Sequence, residues 1–179
     1  MARYTPPDVA ALSPAQRAVY EATRAGRRGT VPANVLAWLA SPELAGRAAH
    51  LGEFIRYGTA LSPAQSELAI LIVARHWSCH YEWAIHAVEA ARAGVAADIV
   101  TAIADRQRPA LADLDQVIYD LVDQLVDGGV AEATFVDAEH RLGRAALVEL
   151  VGLVGYYTMV AMTLNAFEVP VPDGAPRLP

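Results

Sequence analysis

Four side chains that can transfer protons or act as nucleophiles lie within one stretch, residues 67–86, which reads ELAILIVARHWSCHYEWAIH. They are Glu67, Cys79, Glu82 and His86. Two carboxyl groups and an imidazole that are held together in a partly dry groove shift one another's proton affinities apart. Such a set is suited to general acid–base catalysis, provided that the fold brings its members together.

The spacing of residues around this stretch predicts two consecutive helices. A serine–proline pair at 62–63, followed by Gln65, has the form of a capped helix start, and the helix is predicted to run to about Arg75. A break follows near Trp77. Ser78 is then predicted to cap a second helix that ends at a glycine, Gly94. We expect the two helices to form an antiparallel hairpin.

This hairpin would bring the reactive side chains to a single groove. Folding the chain at Trp77 places Glu67 level with residue 87, one position from His86, and Glu82 shares a helix face with His86 because it lies four residues earlier. Cys79 falls in the first turn of the second helix, where unpaired amide groups and the helix dipole favour a thiolate. The sequence therefore predicts Glu67, Glu82, His86 and Cys79 as catalytic residues.

Other interpretations of the same residues remain open at this stage. Glu82 and His86 are also spaced as a surface pair, and Glu67 as a solvated acid in a first helical turn. Cys79 also fits the role of a small buried side chain that fills space in the core. Glu67, Glu82 and His86 have ligand types that suit a metal ion, but their spacing selects no particular metal, and we predict none.

The motif resembles the core of the carboxymuconolactone decarboxylase and alkyl hydroperoxidase D superfamily. The resemblance rests on Glu67, Cys79, the pair Glu82-Trp83, His86 and the Ala-Gly-Val sequence at 93–95. The peroxidase branch carries a glutamate, then Cys-x-x-Cys, then a histidine four residues beyond the second cysteine. Glu82 occupies the position of that second cysteine, so the two-cysteine peroxidase cycle cannot close within the motif.

The Glu-Trp-x-x-His form instead resembles the decarboxylase branch, and residues 149–172 are similar to the end of its longer members. The likeness covers most of residues 45–172. It implies an all-α, alkyl hydroperoxidase D-like helical bundle with a central antiparallel helix hairpin. The implied reaction is loss of carbon dioxide from a small carboxylated lactone or a related acid of aromatic catabolism. No organic cofactor is needed, because the unsaturated lactone accepts the electrons.

In this interpretation His86 and either Glu67 or Glu82 shift a proton to carbon. Two ionised glutamates would repel an anionic substrate, and Arg75, eight residues beyond Glu67, is the nearest cation that could hold a carboxylate.

Tyr81 and Trp83 are further candidates for substrate binding, with packing in the core or an interface as the alternative. Two other functions compete: a peroxidase that uses Cys79 alone with an external thiol, and a binding protein without turnover.

Composition limits the class of protein. The 179 residues fit one domain, 1–179, and a hydrophobic content of 54% with 19% charged residues predicts a helical protein that hides some apolar surface between subunits. The family resemblance implies a homo-oligomer, a trimer or hexamer, and composition does not fix the number. A net charge of -6 argues against a nucleic-acid partner, and the small-molecule substrate is what the family resemblance implies. The single cysteine excludes an internal disulfide and agrees with a cytoplasmic location.

The rest of the chain also has helical patterns and no strand pattern. A loose arm is predicted at 1–12 and an extended, proline-rich tail at 169–179. Residues 145–164 are long and apolar enough to span a bilayer, but they include Glu149 and lack a flanking basic cluster. We therefore interpret them as a buried helix or a subunit contact and predict no membrane partner. The remaining helices are predicted at about 14–24, 31–40, 42–57, 96–104, 111–125 and 131–142.

Overall fold

The computed structural model describes residues 3–111 and 113–179, and this part of the chain is all helical, with no strand. The helices are α1 Pro14–Ala25, α2 Ala33–Trp38, α3 Pro42–Tyr57, α4 Pro63–His76, α5 His80–Ala93, α6 Ala97–Ala104, α7 Asp113–Val126, α8 Glu132–Leu142 and α9 Arg144–Ala166. The predicted all-α class is confirmed. Residues 1 and 2 of the predicted arm, and residue 112 of the predicted 111–125 helix, lie outside the described residues.

Two helices begin at the same local signal. At α1 and at α4 a serine hydroxyl accepts the backbone N–H of a glutamine three residues on, and the glutamine side chain accepts the serine N–H in return. Proline occupies the first helical position in both cases, where its missing N–H costs no hydrogen bond. The reciprocal cap at Ser62 fixes the start of α4 and therefore the position of Glu67, which lies in its second turn.

The turn between α4 and α5 differs from the prediction at one residue. Ser78 has a left-handed backbone with φ of 47°, and its N–H donates to Arg75 O while the N–H of Cys79 donates to Ala74 O. These two hydrogen bonds form the closing motif that satisfies the last carbonyl groups of a helix. Because Ser78 is used to close α4, it does not cap α5. Cys79 takes that position instead.

The contacts of the backbone divide the described chain into two compact units. The larger unit comprises Thr59–Met162 and Val171–Pro179 and contains the whole predicted catalytic stretch. Within it, α4 packs against α5, α6 and α7. Nine consecutive residues of α4, from Ser66 to Ala74, are buried, so α4 is the central helix of this unit.

The smaller unit comprises the described residues up to Gly58 together with Thr163–Pro170. In it, α3 packs against α1 and α2, and the indole Nε1 of Trp38 donates to Thr163 Oγ1 at 2.9 Å. The predicted loose arm is partly held: Val9–Ala11 forms a 3₁₀ turn, and the guanidinium of Arg17 donates to the carbonyl groups of Val9 and Ala10.

The last helix, α9, is long and apolar enough to cross a membrane by length and composition alone, a test that core helices of soluble proteins also pass. Within the larger unit, the carboxyl group of Glu149 accepts the backbone N–H of Ala60 at 2.7 Å. This hydrogen bond explains how an acid is accommodated in an apolar helix, and it ties α9 to the segment that precedes α4.

Candidate functional site

The contact between α4 and α5 holds a buried pair of side chains. Nδ1 of His86 and Oε2 of Glu67 lie 2.7 Å apart, and only 7% and 8% of the two side chains are exposed. When Nδ1 carries its proton it donates to the carboxylate, and Nε2 becomes the nitrogen that exchanges a proton with a bound molecule. The geometry is that of a histidine general base or acid oriented by a carboxylate.

One face of α5 carries three of the predicted residues. Cys79, Glu82 and His86 follow one another at intervals of three and four, and all three are buried. The interpretation of Glu82 and His86 as a surface pair is therefore wrong. The interpretation of Glu67 as a solvated acid is wrong as well, because Glu67 is buried in α4.

Glu82 differs from Glu67 in having no partner. It is 2% exposed, and neither carboxyl oxygen has a hydrogen-bond partner among the described residues. Burial disfavours the charged form and raises the pKa of Glu82 well above its usual value of 4.5. Burial thus favours the protonated form of Glu82, and a protonated carboxyl group can donate a hydrogen bond.

Cys79 is a buried thiol, contrary to the expectation of a thiolate. Burial first, and the neighbouring carboxyl group of Glu82 second, raise the pKa of Cys79 to about 12. The backbone amides of Glu82 and Tyr81 act in the opposite direction, but they do not offset the burial. The helix-dipole argument failed because it described an exposed first turn, whereas Cys79 is fully buried.

Arg75 lies at the last turn of α4, where its polar contacts lead to the following turns of the chain. Its Nε donates to Ala104 O at 2.7 Å, and its Nη1 lies 3.5 Å from Ser78 Oγ. Burial, and then the charge of Arg106, lower the pKa of Arg75. Its proposed role in holding a substrate carboxylate stays a prediction, since the guanidinium is engaged with this turn.

The two aromatic candidates differ in exposure. Trp83 is 2% exposed on the buried side of α5, whereas Tyr81 is half-buried. Trp83 is therefore part of the core beside the site, as the alternative interpretation expected, and its role in substrate binding stays a prediction together with that of Tyr81.

A further residue of the site, Tyr157 on α9, was missed by the sequence analysis. Its ring packs edge-on against the His86 ring, with centroids 5.1 Å apart and an interplanar angle of 87°. Tyr156 packs edge-on against Tyr157 in turn. The signal was present in the sequence as two adjacent tyrosines in an otherwise aliphatic helix, which marks a polar aromatic position inside the core.

The site thus has four buried groups: the imidazole of His86, its carboxyl partner Glu67, the unpartnered carboxyl group of Glu82 and the thiol of Cys79. Within residues 3–111 and 113–179, no three histidine, cysteine or acidic side chains are grouped as they would be to hold a metal ion. The arrangement can move a proton and can donate a hydrogen bond from Glu82 in a site with little water.

Comparison with known proteins adds no family assignment to this geometry. No family model matches the chain, and no curated protein sequence matches it.

Proposed function

We propose that this protein is an acid–base enzyme of the carboxymuconolactone decarboxylase type, a carboxy-lyase acting on a small carboxylated lactone or a related acid of aromatic catabolism. The observation that carries the proposal is the buried hydrogen bond of 2.7 Å between His86 and Glu67. An imidazole in that setting has a fixed ring orientation and a second nitrogen that can give or take a proton. The motif resemblance supplies the class of substrate.

The proposed reaction begins with cleavage of the bond between the substrate carbon and its carboxylate, which leaves as carbon dioxide. The electron pair of that bond enters the conjugated system of the unsaturated lactone and forms a dienolate. The dienolate then takes a proton at carbon from Nε2 of the protonated His86 ring. Glu67 stabilises the imidazolium before this transfer, and a proton from solvent restores it afterwards.

The structure favours this chemistry over a peroxidase that uses Cys79 alone. A peroxidatic cysteine attacks as a thiolate, and a thiol with a pKa of about 12 is almost entirely protonated at neutral pH. Cys79 is also fully buried, which is the cause of most of that shift.

The test is turnover of a panel of carboxylated unsaturated lactones. Release of carbon dioxide and loss of the lactone absorbance measure the rate. We expect wild-type protein to convert at least one member. His86→Ala should lower kcat by a factor of about 100 to 10,000, the usual contribution of a general acid or base. His76→Ala is the matched control because His76 lies outside the site, 3.6 Å from Asp127.

Two results would contradict the proposal. Wild-type protein that converts no lactone acid would remove the substrate class, and His86→Ala protein with wild-type turnover would remove the proton-transfer role. If substitution of His86 changed stability alone, the binding protein without turnover would become the better interpretation.

We also propose that the chain functions as a homo-oligomer, a trimer or hexamer, in the cytoplasm. Exposed apolar side chains at Val148, Val151 and Met162 lie along one face of α9, as expected for a helix that contacts another subunit. The free thiol of Cys79 fits a reducing compartment. Sedimentation velocity at micromolar concentration tests the oligomeric state, and a monomer would refute the proposed homo-oligomer.

A further inference from the structure

The carboxyl group of Glu82 is the one buried polar group of the site for which the acid–base pair gives no explanation. A carboxyl group with no hydrogen bond in a protein interior destabilises the fold, because it has lost its water partners without replacement. Both oxygens of Glu82 are in this state within the described part of the chain. Such a group is a candidate for contact with a bound molecule, particularly beside a proton-transfer residue.

The position of Glu82 on α5 also favours contact with a bound molecule. Glu82 precedes His86 by four residues on the same buried face of α5, so the two side chains are neighbours along the helix. His86 in turn contacts Glu67 of α4 and the ring of Tyr157 of α9. Because the two side chains are neighbours on one helix face, a molecule bound against that face could contact both Nε2 of His86 and the Glu82 carboxyl group.

Neighbouring charges do not offset the effect of burial on the pKa of Glu82. The titratable groups of the site are Cys79 and His86 on the same helix, Glu67 on α4 and Tyr157 on α9. Loss of solvent alone accounts for the raised pKa of Glu82. The helix α6 also packs against α5, but its one acid, Asp98, is exposed.

We propose that Glu82 is a catalytic residue that donates a hydrogen bond, from its protonated carboxyl group, to the oxygen on which negative charge develops during decarboxylation. This inference rests on the proposed function, since it assigns to Glu82 the electrophilic part of that reaction. It also removes the difficulty of two ionised glutamates beside an anionic substrate. In this role Glu82 carries its proton, and the charge of Glu67 is balanced when His86 is protonated.

The electron pair of the broken carbon–carbon bond moves into the lactone, and the lactone carbonyl oxygen becomes the oxygen of a dienolate. The Glu82 proton stays on Glu82 and strengthens its hydrogen bond as that charge develops. The proton that ends on carbon comes from His86. A donor aimed at a developing oxyanion in a dry site stabilises the transition state more than the ground state, so it raises kcat.

Two substitutions separate the donor from the shape of the side chain. Glu82→Met removes the donor and keeps an apolar side chain of similar length, whereas Glu82→Gln keeps an N–H donor that does not titrate. We expect Glu82→Met to lower kcat by a factor of about 100 to 1,000, with KM changed by less than a factor of about three. Glu82→Gln should recover part of the loss. Glu89→Gln, on the same helix and paired with Arg92, is the matched control.

The pH profile gives a readout that a structural role would not change. In wild-type protein kcat should fall at alkaline pH both as His86 loses its proton and as Glu82 ionises, so the fall should be less steep in Glu82→Gln, which keeps the His86 contribution alone. A wild-type value of kcat in Glu82→Met, together with an inactive His86→Ala protein, would overturn this inference and leave the proposed function intact. An alkaline limb of the same position and steepness in Glu82→Gln and in wild type would also overturn it.

A spectroscopic measurement tests the charge state without any substrate. The infrared difference spectrum between wild-type and Glu82→Gln protein at pH 7 should contain the carbonyl band of a protonated carboxylic acid, with the downward shift in heavy water that such a group shows. A carboxylate band in its place would overturn the inference, whichever lactone the enzyme converts.

Discussion

Two neighbouring parts of the site each contain a buried glutamate, and the two carboxyl groups differ in their hydrogen bonding. At the contact between α4 and α5, Glu67 is bonded to His86, and each side chain satisfies a polar atom of the other. In the first turn of α5, Glu82 has no hydrogen-bond partner among the described residues and lies close enough to Cys79 to raise the pKa of that thiol. The first part is a satisfied polar pair. The second is a single buried acid whose oxygens have no hydrogen-bond partner among the described residues.

This difference separates stability from chemistry. A satisfied buried pair stabilises the fold relative to either member alone, whereas an unsatisfied acid destabilises it and is retained at a functional site for its reactivity. If this explanation is correct, substitutions in the two parts should change stability in opposite directions.

The largest effect is expected in the reactivity of Cys79. A pKa of about 12, against the usual 9.0, lowers the thiolate fraction at neutral pH by a factor of about a thousand, and burial slows access further. Alkylation by iodoacetamide at pH 7 should therefore be at least about a thousandfold slower in folded protein than in urea-unfolded protein. Mass spectrometry measures both rates. Rapid labelling of the folded state would show that the first turn of α5 is open and would favour the peroxidase.

The second effect is a loss of stability when the satisfied pair is broken. Glu67→Leu leaves Nδ1 of His86 without its carboxyl partner in a buried position, so we expect the free energy of unfolding to fall by about 2 to 4 kcal/mol. Urea denaturation followed by circular dichroism measures this change. Glu43→Leu is the control because Glu43 is exposed on α3, in a surface pair with Arg47. A fall of the same size in both variants would contradict the role given to the pair.

The ends of the helices that carry the two glutamates could largely be predicted from the sequence, because the residues that start and stop a helix act locally. The two serine–proline–glutamine caps and the left-handed Gly94 depend only on neighbouring residues. The contact of Glu67 with His86 also followed from counting residues on either side of a turn. The same local rules placed the start of α5 at Ser78, one residue early, because two motifs competed for that residue.

The environment of each side chain could not be predicted in this way, because it depends on helices that are distant in the sequence. Tyr157 reaches His86 from a helix about seventy residues later in the chain, and no spacing rule connects them. The protonation of Glu82 and Cys79 follows from burial that neighbouring helices complete. The predicted thiolate was wrong for this reason.

The third effect, of opposite sign, is expected at Glu82. Glu82→Met replaces an unpartnered buried acid with an apolar side chain of similar length, so we expect the free energy of unfolding to rise by about 1 to 2 kcal/mol at pH 7. The same urea denaturation measures it. A fall instead of a rise would mean that Glu82 supports the fold, and the contrast between the two parts of the site would then fail.

The last effect is the pH dependence of that gain, which is the smallest when it is compared over a single pH unit. The pKa of Glu82 is higher in the folded protein than in the unfolded chain, so the folded state binds its proton more tightly. Below pH about 4.5 both states hold the proton, and Glu82 then makes no pH-dependent contribution. Above it only the unfolded state ionises, and wild-type stability falls by at most about 1.4 kcal/mol per pH unit until the folded pKa is reached.

Glu82→Gln lacks this titration, so its stability should exceed that of wild type by an amount that grows as the pH rises from 4.5 towards neutrality. Parallel urea denaturation curves at four or five pH values measure the difference, and subtraction removes the titrations that both proteins share. A difference that stayed constant with pH would mean that Glu82 has the same proton affinity in both states. Since burial is the cause of the raised pKa, a constant difference would also place the carboxyl group in contact with water, and Glu82 would then resemble an ordinary surface acid.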